Sequence, residues 1–99
     1  MSCALNVVNV DTFQLTGAFD MAQLATLIGE GEKLIIAQAG KALHIDLSHW
    51  AHAQSAALSL LLQWLRCAKQ HNVKLAYLNP QSSLLGLAKV SHLDKILFA

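Results

Sequence analysis

Hydrophobic and polar positions alternate first with the period of strands and then with the period of helices. Ala4 to Val8 and Thr12 to Leu15 are short segments of β-formers joined by Asn9-Val10-Asp11, which predicts an antiparallel hairpin ended by Gly17. Asp20 stands where a helix N-cap belongs, before Met21-Ala22-Gln23-Leu24-Ala25-Thr26-Leu27-Ile28, in which Leu24, Leu27 and Ile28 share one helical face. Gly29 and Gly31 are expected to break or bend that helix, and Glu32 to Ala39 fits a helical turn or a strand. Ala42 to Leu47, apolar except for His44 and Asp46, predicts a central strand covered on both faces.

The longest helical pattern runs from Ser55 to about Gln70. Leu58, Leu61, Leu62 and Leu65 form its core stripe, with Ser55, Ser59, Gln63 and Arg66 on the polar side. Val73 to Leu78 is the next strand, closed by Asn79-Pro80. Ser82 or Ser83 then caps a helix that turns Leu84, Leu87 and Ala88 inward, and Leu93 to Phe98 is a last short helix or strand. Strands alternating with helices after a hairpin give an α/β fold, a mixed sheet with its helices packed mainly on one face. Leu60, Trp64 and Cys67 form a second stripe that either packs on a neighbouring helix or offers Trp64 as an aromatic anchor for a partner.

Composition narrows the function classes. The 99 residues suit one domain, 1–99, and 55% hydrophobic content supplies its core. Charged residues are only 13% and the net charge is +1, which leaves no electrostatic footprint for nucleic acid or an anionic membrane. So little polar surface favours a protein partner and leaves a homodimer in isolation open. Cys3 and Cys67 are far apart and read as reduced, cytosolic thiols. Met1-Ser2-Cys3-Ala4 lacks the pattern of a signal peptide, and Ser59 and Gln63 interrupt the longest apolar run, so direct membrane insertion is not expected.

Candidate chemistry is sparse. Two loop histidines, His49 and His52 around Trp50, do not by themselves make a metal site, so neither metal nor cofactor is expected. His44, Asp46 and a serine can be assembled on paper into a triad. The chain nevertheless lacks the G-x-S-x-G elbow and an oxyanion turn before Ser55, so no catalytic residue is expected, and Asp46 reads as a cap for the loop at the strand's end. Ser55, at the start of its helix, can cap the helix, contact a partner or accept a phosphate.

The order of hairpin, helix, Ile45-Asp46-Leu47-Ser48, Gln54-Ser55-Ala56-Ala57-Leu58, Val73-Lys74-Leu75 and Leu87-Ala88-Lys89-Val90-Ser91-His92-Leu93 resembles a STAS domain over nearly the whole chain. STAS domains are the module of anti-sigma factor antagonists. Within that superfamily the chain is most similar to the MlaB-like stand-alone subunit of the bacterial ABC system that moves phospholipids between the two membranes of Gram-negative cells. The resemblance implies a non-enzymatic cytoplasmic subunit, peripheral to the inner membrane through its partner, the nucleotide-binding ATPase of that complex. It implies a contact built from His52, Gln54, Ser55, Ala56, Ser59 and Gln63.

The family pattern has an acid, Ser or Thr, and two glycines at this helix start; here Gln54, Ser55, Ala56 and Ala57 stand there. Alanine favours helix over glycine by about 0.8–1 kcal/mol per residue, so this N-terminus is stiffer. Its added methyl groups also hinder the close approach of a kinase. A fixed contact is thus favoured over the alternative, an anti-sigma factor antagonist whose serine-kinase partner is released by phosphorylation of Ser55. A third reading is a small sensor holding a ligand between hairpin and helix.

Overall fold

A computed structural model of the chain describes residues 4–18, 20–51 and 55–98. The hairpin forms as the sequence predicts: β1 (Ala4–Asn9) pairs antiparallel with β2 (Thr12–Ala18). The turn between them is held locally, with the Asp11 amide donating to Asn9 Oδ1 at 3.2 Å. Next come α1 (Leu24–Ala37), β3 (Ala42–Ala51), α2 (Ser55–Gln70), β4 (Lys74–Leu78), α3 (Ser82–Val90) and α4 (Asp94–Leu97). The sheet order is β1-β2-β3-β4, with β2, β3 and β4 mutually parallel.

One face of the sheet carries the core. Phe13 and Leu15 of β2, Leu43, Ile45 and Leu47 of β3, and Tyr77 of β4 are buried there with Leu27 and Ile35 of α1, Leu58, Leu61 and Trp64 of α2, Leu84 of α3 and Leu97 of α4. Alternate strand residues face the other way, and His44 and Asp46 are only half-buried. β3 is therefore covered by helices on one face, not on both. Its apolar run satisfies the core while the two polar residues keep the far face wet.

Asp20 is a cap, as expected, but of a short 3-10 turn, Met21–Gln23, that leads into α1. The glycines do not end α1. At Gly31 a Cβ would fall on the Trp64 indole, at Cε2, Nε1 and Cζ2, so glycine lets α1 and α2 approach closely; Gly29 has open space around it. Trp64 Nε1 donates to the Ile28 carbonyl at 3.1 Å, fixing the indole in that slot. The helix keeps its backbone bonds through both glycines because the packing they permit offsets their poor propensity. Glu32 to Ala37 is consequently helix.

α2 keeps the predicted span, but its buried stripe is rotated. Ala57, Leu60, Trp64, Cys67 and Ala68 are buried with Leu58 and Leu61, whereas Leu62 and Leu65 are only partly so. Trp64, with no exposed surface, is a core residue of the monomer. Burial, followed by the negative charge of Glu32, pushes the Cys67 thiol up and favours its protonated form. Tyr77 Oη donates to the Leu61 carbonyl at 2.6 Å, tying β4 to α2. At α3 the cap position falls to Gln81, with Ser82 already helical, and the tail forms α4.

Candidate docking site

β3 runs four residues beyond the predicted Leu47, and this extension builds the site. Its pairing with β4 stops at Asp46 opposite Leu78, while pairing with β2 continues to Ala51 opposite Ala18. Between Gln14 and Thr16 of β2 the partners jump from Asp46 to His49, so β3 holds one extra residue. The bulge shifts the alternation and lets Leu47 and Trp50, three apart, both reach the core. Asp46 sits at the point where the two ladders diverge.

Three elements meet on the Asp46 carboxylate. Its Oδ1 accepts from the Ser48 amide at 2.9 Å and from Asn79 Nδ2 at 3.5 Å, and its Oδ2 accepts from Gln14 Nε2 at 3.3 Å. Partial burial alone would raise this carboxyl, but hydrogen bonds from the Ser48 amide and side chain, Gln14 and Asn79 outweigh it and hold the group below the usual aspartate value. Asn79 takes a left-handed backbone, φ 54°, which turns the chain from β4 towards α3. Gln81 then donates from Nε2 to the Ser48 carbonyl at 2.9 Å, joining the start of α3 to β3. The Gln14 nitrogen also lies 2.8 Å from His49 Nδ1, which is 3.0 Å from Ser48 Oγ. Asp46 thus braces the strand end through three elements and is more than a loop cap.

Beyond this brace β3 ends at Ala51 and α2 begins at Ser55. Of the predicted contact residues, Ser59 and Gln63 are exposed one turn apart on α2, and Ala56 is half-buried in the first turn. Ser55 is the first helical residue, its side chain lying outside the described set; His52 and Gln54 lie outside the described residues. Gln14, Ser48, His49, Asn79 and Gln81 were not among the residues singled out for contact. The spacing of Leu47 and Trp50, odd for a simple strand, was the available signal for the bulge that gathers them.

Among the described residues, no group of three His, Cys, Asp or Glu side chains is arranged to hold a metal, and no helix is long and apolar enough to cross a membrane. Asp46 is turned to the Ser48, Gln14 and Asn79 donors and not to an imidazole.

The model of the family described as "Mlab, STAS domain" matches residues 6–98. The chain is an MlaB-type STAS domain. Its fold is shared by a chain of the Acinetobacter MlaFEDB complex in an ATP-bound conformation, at TM-score 0.82 and 24% identity, covering 95% of this chain and 96% of that one. It is also shared by the anti-sigma factor antagonist SpoIIAA in its unphosphorylated form, at TM-score 0.76 and 16% identity, covering 98% and 86%. The phosphorylated form of the Bacillus SpoIIAA aligns at TM-score 0.70 and 16% identity, covering 98% and 89%. A comparison with curated proteins finds no match.

Proposed function

We propose that this STAS domain is a non-enzymatic cytoplasmic subunit that docks on the nucleotide-binding ATPase of a phospholipid-moving ABC complex and supports its assembly or activity. The observation that carries the reading is the family match to MlaB together with the near end-to-end likeness to a chain of the MlaFEDB complex. The contact is assigned to the start and outer face of α2, through His52, Gln54, Ser55, Ala56, Ser59 and Gln63. Support comes from the exposure of Ser59 and Gln63 on α2. Alanines at 56 and 57 stiffen the helix start, which suits a fixed contact more than a cycling one.

The likeness to both forms of SpoIIAA keeps a second reading in view: an anti-sigma factor antagonist released from a serine kinase by phosphorylation of Ser55. A phosphate there would suit the helix dipole and oppose a dry interface. Affinity purification of the tagged chain from its own bacterium, as wild type, Ser55→Ala and Ser55→Glu, separates the two. Recovery of an ABC ATPase with its permease by wild type and Ser55→Ala, and its loss in Ser55→Glu, is expected. Recovery of a kinase or sigma regulator, with stable phosphoserine at Ser55 by mass spectrometry, would replace the transport reading.

A further inference from the structure

An ionised carboxylate only accepts hydrogen bonds, so the Gln14 amide must turn its nitrogen, not its oxygen, to Asp46 Oδ2. That same nitrogen lies 2.8 Å from His49 Nδ1, which must therefore be the acceptor, and the ring proton of the neutral imidazole is left on Nε2. Ser48 Oγ, 3.0 Å from Nδ1, carries a single proton that is shared between Nδ1 and the Asp46 carboxylate, and neither choice puts a proton on Nδ1. The tautomer follows from the network without any choice at the histidine.

We infer that Asp46 and Gln14 form a relay that fixes His49 as its Nε2–H tautomer, making this exposed histidine a hydrogen-bond donor to an acceptor oxygen on the docked ATPase. Asp46 and Gln14 are positioning residues, and His49 is the contact. The contact rests on the docking reading above; the relay does not. The ionisable side chains of the sheet are His44, Asp46 and His49 on β3 with Lys74 and buried Tyr77 on β4, and β1 and β2 carry none. Asp46 is accordingly the group that orients the relay.

Nitrogen-15 NMR of the full chain, at a pH where the imidazole is neutral, reads the relay directly. The His49 signal is assigned among five histidines by its loss in His49→Gln. Wild type is expected to carry the proton on Nε2. In Asp46→Asn the new amide keeps its oxygen on the Ser48 N–H and turns its NH2 to Gln14, so Gln14 reverses and the His49 proton moves to Nδ1. Gln14→Glu, which gives up the bond to Asp46 and puts an acceptor beside Nδ1 while Asp46 keeps its Ser48 and Asn79 partners, produces the same move should Asp46→Asn fail to fold. An Nδ1–H ring in wild type, or an unchanged tautomer in the folded variants, overturns the relay.

Binding to the purified ATPase tests the contact. His49→Ala is expected to weaken it roughly three- to tenfold, the worth of one hydrogen bond. His49→Gln, whose amide nitrogen stands near the place of Nε2, restores it. If Ser59→Arg blocks binding and His49→Ala does not weaken it, docking on α2 stands and the His49 contact is overturned. If wild type does not bind, the docking reading falls and takes the contact with it, while the tautomer still decides the relay.

Discussion

Gly29 and Gly31 lie two residues apart in one helix, yet replacing each with alanine is expected to move stability in opposite directions. At Gly29 the added methyl meets nothing within 4 Å, so the variant gains helix propensity, about 0.5–1 kcal/mol. At Gly31 the same gain is opposed by the Trp64 indole, which occupies the place of the methyl. That ring cannot swing aside cheaply, because it is fully buried and its N–H is committed to the Ile28 carbonyl. Overpacking costs about 1–3 kcal/mol, and loss of the indole hydrogen bond about 1 kcal/mol more. The net destabilisation is about 1–3 kcal/mol. For a domain of this size each kcal/mol shifts Tm by roughly 4–8 °C, so urea titrations and thermal melts followed by circular dichroism resolve both signs. Trp64→Phe, which removes the indole nitrogen, should reduce the cost of Gly31→Ala, and a double-mutant cycle reads that coupling. A Gly31→Ala protein as stable as Gly29→Ala would refute the α1–α2 packing.

Three other outcomes follow from the same core and its polar edge. Trp64→Ala should destabilise the monomer by about 3–5 kcal/mol in denaturant titrations, as expected of a core ring; an unfolding midpoint near wild type would return Trp64 to the surface. Tyr77 is the single tyrosine, and burial raises its phenol well above 10 in the fold. Its stabilising effect is therefore present below the unfolded phenol's value near 10 and fades as pH rises beyond it, so tyrosinate absorbance should appear only together with unfolding. Asp46 has the opposite sign: its folded value is depressed, so its contribution is present above about pH 4 and is lost as pH falls through the folded value. Asp46→Asn should flatten the acid limb of the stability profile below about pH 4, and an unchanged limb would remove Asp46 from the brace.

Most elements are legible in type and order from the amino-acid sequence, because their signals are local. β-formers around Asn9-Val10-Asp11 make a hairpin, Leu58 and Leu61 at helical spacing make α2, and Asn79-Pro80 stops β4 wherever the rest of the chain lies. The family resemblance, carried by the order of short motifs, was legible for the same reason. What the sequence left undecided depends on neighbours remote in the chain. Gly31 looks like a helix breaker until Trp64, thirty-odd positions later, fills the space its missing side chain leaves. Trp64 itself fitted both a core and an interface reading until α1 covered it. His49 and Trp50 read as loop until β2 supplied ladder partners for the strand beyond Leu47. The Asp46 brace draws on β2, β3 and the turn after β4, so its members share no spacing that one segment could reveal. Propensity and period are properties of a segment, whereas close approach, bulges and hydrogen-bond networks exist only once separate segments are packed together.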